Sequence, residues 1–212
     1  MRAYNAITTS VYSSEKNATT LSNLPAAPSG LTITTITSGS VSLAWTDNSN
    51  NETGFKIQRK QGATGAYATI KTVAANATTY TDSDTALLDG TQYYYKICAT
   101  NSAGDSPYSN EVDGITTMRV PTGLSATAVS SSQINLTWTD NSLSESGYRI
   151  EQSPVDDLHF IQIGVVPTNQ TSYNATALNA ETTYYSKFQA YNAIANSLST
   201  SRITAPTHSI IP

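Results

Sequence analysis

The stretch Trp45-Thr-Asp-Asn-Ser-Asn-Asn-Glu-Thr-Gly-Phe-Lys-Ile57 returns as Trp138-Thr-Asp-Asn-Ser-Leu-Ser-Glu-Ser-Gly-Tyr-Arg-Ile150, 93 residues later. A repeat of that period in 212 residues restricts the chain to two equivalent units, each large enough for its own core. Leu31 is matched by Leu124, and Val41, Leu43 and Trp45 by Ile134, Leu136 and Trp138. Tyr67, Ile70, Val73 and Tyr80 are likewise matched by Phe160, Ile163, Val166 and Tyr173. Beyond Tyr80 the offset falls to 91, because Tyr80 to Tyr93 spans 13 residues and Tyr173 to Tyr184 spans 11. The first unit therefore carries two extra residues in the loop around Asp82 to Ala86.

Apolar residues alternate with polar ones, as they do in half-buried strands. Val41, Leu43 and Trp45 share one face, Phe55 and Ile57 point inward, and Tyr93, Tyr95, Ile97 and Ala99 form another inner face. That alternation places Cys98 outward. No segment sustains a 3.6-residue period with caps. Short alternating strands separated by turn residues predict an all-β sandwich, with units at residues 25–117 and 120–207. Thr116 to Val120 is a linker of only a few residues, which predicts limited freedom between the units.

Residues 1–20 look like the end of a unit. Arg2-Ala-Tyr-Asn5 and Val11-Tyr-Ser-Ser-Glu15 parallel Cys98-Ala-Thr-Asn101 and Pro107-Tyr-Ser-Asn-Glu111, with the same ten-residue spacing from Asn to Glu. They are expected to be the C-terminal two strands of a preceding partial repeat. Val112 lies nine residues before Pro121, as Ile203 lies nine before Pro212. Together these ends predict an excerpt from a longer tandem array.

The second-strand Trp45 and Trp138, with Leu87-Leu-Asp-Gly-Thr-Gln-Tyr93 running on to Asn101 and Leu178-Asn-Ala-Glu-Thr-Thr-Tyr184 running on to Asn192, resemble fibronectin type III domains. The resemblance covers residues 25–207 and the partial copy. It implies two tandem immunoglobulin-like β-sandwiches preceded by a partial repeat, with Tyr93 and Tyr184 as tyrosine-corner residues bonded to the backbone upstream. The Trp-Thr-Asp-Asn-Ser turn looks most like repeats of bacterial secreted and surface proteins. Two departures stand in the second unit. Ser186 replaces Tyr95, which is expected to thin the core, and Ala193-Ile-Ala-Asn196 replaces the Gly-containing turn at Ser102-Ala-Gly104.

A net charge of −4, with no run of Lys or Arg, argues against nucleic acid and anionic membrane as partners. No apolar run reaches the roughly 20 residues of a membrane span. Charged residues make up only 12%, so Ser, Thr, Asn and Gln must supply the polar surface. This style is common in secreted and cell-surface β-proteins. The N-terminus lacks the apolar core of a signal peptide, so either the protein stays inside or the sequence is a mature or excised piece. The single cysteine, Cys98, excludes an intrachain disulfide and a Cys-based zinc site.

The turn residues Asp47, Asn48, Asn50, Asn51 and Glu52 could offer oxygens to Ca²⁺, with Asp47 and Glu52 as the metal candidates. The second copy keeps only Asp140, Asn141 and Glu145. The favoured reading is that Asp and Asn build side-chain turns while Glu binds backbone amides, so no metal or cofactor is expected. Ala103-Gly-Asp-Ser106 has Ala where an integrin-binding motif needs Arg. An outward Cys98, whose counterparts are Gln189 and Arg2, reads as an idle, slightly shielded thiol. His159, His208 and the pair Asp156-Asp157 form no nucleophile motif, so no enzyme is expected. Tyr94 and Tyr108 are the nearest approach to a sugar-binding platform. Sequons stand at Asn17, Asn51, Asn76, Asn135, Asn169 and Asn174.

The leading functional expectation is a non-enzymatic extracellular or cell-surface spacer, structural or adhesion module, with neighbouring repeats or proteins as partners. A filament or sheath subunit that self-assembles through residues 1–20 is one alternative. Accessory domains of a larger secreted polysaccharide-acting enzyme are another.

Overall fold

The computed structural model of the chain describes residues 1–15 and 23–209. Residues 16–20 of the expected partial copy, the Asn17 sequon and Pro212 lie outside the described residues. Strict alternation makes β2 (Val41–Thr46), which buries Val41, Leu43 and Trp45 and turns Ser42 and Ala44 away. It pairs antiparallel with β1 (Ser29–Ile36) and β5 (Thr79–Asp82) to form one sheet. The opposing sheet runs β4 (Ala68–Ala74), β3 (Gly54–Gln61), β6 (Gln92–Asn101). Beyond β6 the last strand is split into β7 (Gly104–Asp105) and β8 (Val112–Ile115), both paired with β6. Between the sheets pack Leu31, Val41, Leu43 and Trp45 from one side and Phe55, Ile57, Tyr93, Tyr95 and Ile97 from the other. Each such aliphatic or aromatic side chain contributes about 1.5–3 kcal/mol by leaving water.

The second sandwich repeats the plan. β9 (Thr122–Ala128), β10 (Ile134–Thr139) and β13 (Ser172–Ala175) form one sheet, and β12 (Ile161–Pro167), β11 (Gly147–Ser153), β14 (Thr183–Tyr191) and β15 (Ile203–Pro206) form the other. All strand pairings are antiparallel. Trp138 sits at the core centre, 4.6 Å from the Phe188 ring and 5.4 Å from that of Tyr148.

The glycine closing each Trp turn is required by a close approach. A Cβ on Gly54 would lie 2.3 Å from the Val73 carbonyl oxygen, and one on Gly147 would lie 2.1 Å from that of Val166. Both oxygens belong to backbone that cannot step aside.

Ser186 does not simply thin the second core. In the first domain Tyr95 donates to Asp82 at 2.9 Å, and Arg59 reaches the same oxygen at 2.8 Å. The matching positions in the second domain are Ser186, Ala175 and Gln152. Gln152 turns inward, 2% exposed, and donates to Ser186 at 3.2 Å. An ionic trio is replaced as a set by a neutral pair, so no buried charge loses its partner.

Cys98 is shielded more completely than its place on the outer face implies. It lies on the outer face, as alternation places it, yet it is 0% exposed. Lys56 stands directly opposite in register and ion-pairs Asp105 at 2.7 Å. The long side chains of that face thus bury the thiol, and burial pushes its pKa up.

Residues 1–15 form a small hairpin that shares a set of backbone and serine bonds with the segment from Ile97 to Ser109, displaced by 96 residues. Ser10 N–H donates to Ala3 O at 2.9 Å, as Ser106 N–H does to Ala99 O at 2.8 Å. Ala3 N–H donates to Ser10 Oγ as Ala99 N–H does to Ser106 Oγ, both at 2.9 Å. Ser13 binds Met1 O as Ser109 binds Ile97 O, and Asn5 caps Ile7 as Asn101 caps Ala103. All fifteen residues are exposed.

Candidate functional site

The junction between the sandwiches holds a fully buried carboxylate. Asp89 stands in the loop between β5 and β6, within the Leu-x5-Tyr segment. Tyr93 fixes this loop by accepting the Leu88 N–H at 2.9 Å, and Thr116 fixes it by donating to Leu88 O at 2.7 Å. So held, Asp89 projects past its own domain, and its exposure is 0%.

Three donors converge on its carboxylate. One oxygen accepts the Arg119 N–H of the linker at 2.8 Å and the Ser142 hydroxyl at 2.9 Å; the other accepts the Leu143 N–H at 2.8 Å. Ser142 and Leu143 belong to the Trp-Thr-Asp-Asn-Ser turn of the second domain. Hydrogen bonds to a charged group are worth about 1.5–3 kcal/mol each, and burial protects these from screening.

The backbone beside Asp89 is captured as well. Ser144 Oγ donates to Asp89 O. Asn192 Nδ2 donates to Gly90 O at 2.9 Å and to Ser144 O at 3.1 Å. Gly90 has φ of +54°, and a Cβ there would lie 2.5 Å from Met118 Cε. Glycine makes this left-handed turn without strain and leaves room for the Met118 side chain of the linker. Asn141 completes the clasp by donating to Val120 O at 2.8 Å and Thr122 Oγ1 at 3.0 Å. Beside it, Ile115, Met118, Ile194 and Leu198 line a groove of about 820 Å³.

None of Asp89, Gly90, Met118, Ser144 or Asn192 stands out as a site residue in the sequence reading. One signal was available. Asp89-Gly90 is matched by Ala180-Glu181, so a carboxylate at the Asp89 position lies outside what the repeat explains.

The metal candidates are engaged in turns. Asp47 accepts the Ser49 N–H at 2.9 Å, and Asp140 accepts the Ser142 N–H at 2.9 Å together with the Tyr148 hydroxyl. Glu52 accepts the Asn76 N–H at 3.1 Å, and Glu145 accepts that of Asn169 at 3.2 Å. Both asparagines have left-handed backbone, with φ near 60°. The Glu52 carboxyl is held below the usual carboxylate range, first by its own backbone N–H; burial opposes this, and the Asn76 amide adds to it. Among the described residues no group of three or more His, Cys, Asp and Glu side chains is placed to hold a metal ion.

The signature side chains sit where they hold the fold. Trp45, Leu87, Tyr93, Trp138 and Tyr184 are buried and Leu178 is partly buried. Tyr184 accepts the Asn179 N–H at 3.0 Å. Tyr94 and Tyr108 carry cations: Lys60 lies 4.5 Å from the Tyr94 ring centre and Lys96 lies 4.0 Å from that of Tyr108. Asp105, in the Ala103–Ser106 segment, takes Lys56 and Thr100. Exposed His159 is bound to Asp156 at 2.7 Å, Asp157 pairs with Arg202, and His208 enters through its backbone alone.

Two antiparallel sandwiches joined end to end, each with its Trp turn and corner tyrosine, define a class. Residues 26–115 and 119–207 each match the fibronectin type III domain family model, and the chain belongs to that family. Among known proteins it is similar to Protein sidekick-1 of Mus musculus, 28% identical over 195 residues, or 85% of this chain. It is also similar to Protein sidekick-1 of Homo sapiens, 29% identical over 199 residues, or 87% of this chain. It spans only 9% of the length of each. The fold is that of the two fibronectin type III domain segment from chicken tenascin, with a TM-score of 0.74 at 16% identity, covering 85% of this chain and 99% of that one. No helix is long and apolar enough to cross a membrane among the described residues.

Proposed function

We propose that this chain is a non-enzymatic extracellular module that holds its neighbours in a tandem fibronectin type III array at a fixed distance and angle. The observation that carries the reading is the Asp89 clasp. A linker alone sets a maximum separation, whereas three buried charge-assisted bonds from one domain to the linker and the next domain set an orientation. The scarcity of charge and the Ser/Thr/Asn-rich surface support an extracellular or cell-surface location, with proteins or neighbouring repeats as partners. Residual dipolar couplings measured on both domains provide the test. A single alignment tensor is expected to fit both, and two independent tensors would sink the reading.

A second reading has its own observation. The exposed hairpin at residues 1–15 keeps bonds of a last-strand pair while no other described residue pairs with its outer strand edges, the arrangement that invites strand addition to another chain. Sedimentation of the chain with and without residues 1–20 decides it. Self-association that depends on those residues supports a filament subunit, and identical behaviour rules it out.

A further inference from the structure

The socket that receives Asp89 is present a second time. The three donors to Asp89 are the Arg119 N–H, the Ser142 hydroxyl and the Leu143 N–H. Ninety-three residues earlier stand Ala26, Ser49 and Asn50, which keep the same three donor types. The scaffold around them is also the same. Asn48 donates to Ala27 O and Ser29 Oγ, both at 2.9 Å, as Asn141 does to Val120 O and Thr122 Oγ1. Asn101 donates to Asn51 O at 3.1 Å, as Asn192 does to Ser144 O.

What differs is the occupant. The second amide bond of Asn101 goes to Asn23 O at 2.9 Å, so a linker carbonyl takes the place that Gly90 O has at the junction. The Ser49 hydroxyl turns onto the side-chain oxygen of Asn51 at 2.9 Å. The Ala26 and Asn50 N–H groups donate to no acceptor among the described residues. A neutral carbonyl and a neighbouring amide thus occupy part of a donor set that, one repeat later, closes on a carboxylate.

We propose that the N-terminal pole of the first domain is a socket for the Asp-Gly loop of a fibronectin type III domain preceding it. The proposal rests on the array reading and names the partner of that pole. The chain ahead of the socket fits such a partner, because residues 1–15 carry the hairpin bonds of this domain type. Glu15 to Pro28 is three residues longer than Glu111 to Pro121, which lengthens the tether without preventing its reach. The second domain of another copy cannot serve as the partner. Its loop keeps the turn, with Glu181 at φ 54° as Gly90 is, but Ala180 stands at the place of Asp89 and supplies no carboxylate.

Amide hydrogen exchange on an extended chain tests this. Residues 25–116 are placed ahead of Leu21 in place of residues 1–20, which keeps Ala26 and the native linker, and the Asn50 and Leu143 amides of the original domains are followed. The Asn50 amide is expected to exchange at least about tenfold more slowly than in the unextended chain, and Asp89→Ala in the added copy is expected to abolish that protection. Slow exchange at Ile57 in every variant verifies that the domain is folded. Fast exchange at Asn50 beside a protected Leu143 overturns the socket and leaves the array reading standing, whereas fast exchange at both overturns both. Protection of Asn50 that survives Asp89→Ala also overturns the proposal, because the carboxylate would then not be its ligand.

Discussion

The Asp89 carboxylate of the first domain lies 2.8 Å from the Leu143 backbone N–H of the second, a direct bond from one sandwich to the other. Asp89→Ala leaves the Ser142 hydroxyl and two N–H groups without their acceptor. It is expected to remove about 2–4 kcal/mol of coupling between the domains. Calorimetry should show a transition that splits or broadens, while each domain keeps its own core. Asp89→Asn should behave almost as badly, because its amide nitrogen would face a donor. An unchanged single transition for both variants would contradict this account.

Gly147→Ala brings a methyl group to 2.1 Å from the Val166 carbonyl oxygen, at a φ of +154°. The expected loss is about 3 kcal/mol, the upper end for overpacking against atoms that cannot move. Urea denaturation measures it, and a loss below about 1 kcal/mol would show that β12 yields more readily than its pairing implies.

Glu52 makes the first domain sensitive to acid. Its folded pKa lies below its ordinary value of 4.5, so its contribution to stability is fully present above that value and is lost as pH falls through the lower folded value. Glu52→Gln should have a lower denaturation midpoint than the parent at neutral pH. The difference should close as pH falls from about 5 to about 3. A gap that stays constant over this range would show that the charge on Glu52 contributes nothing.

Cys98 should be silent in the folded chain. With its thiol buried and its pKa raised, a disulfide reagent is expected to titrate no thiol under native conditions and one per chain in denaturant. Prompt native labelling would show that the cover over β6 opens.

Much of the fold could be read in the sequence because alternation and repetition are periodic signals. Val41, Leu43 and Trp45 announce a strand face by themselves, and their counterparts at Ile134, Leu136 and Trp138 confirm it. Alternation assigns a face, however, not a depth: it places Cys98 outward, but the full cover over the thiol depends on long side chains such as Lys56 that meet it only once the strands pair. The exchange of Arg59, Asp82 and Tyr95 for Gln152, Ala175 and Ser186 shows in the sequence pattern only at Ser186, because three strands must be in register before the trio meets. The clasp was harder still. Asp89 and Leu143 lie in loops, where no period marks a partner, and neither position pairs with its equivalent in the repeat.

The N-terminal hairpin bears on how these domains fold. It holds these serine bonds with no sheet beside it among the described residues, so the equivalent segment from Ile97 to Ser109 can close early from contacts near in sequence, in a topology otherwise built on distant ones. Ser106→Ala, which deletes the acceptor of the Ala99 N–H, is then expected to slow refolding more than it speeds unfolding. Stopped-flow chevrons with the change confined to the unfolding arm would place that hairpin late. If it forms early, the last two strands of each sandwich serve as the template on which the remaining strands assemble.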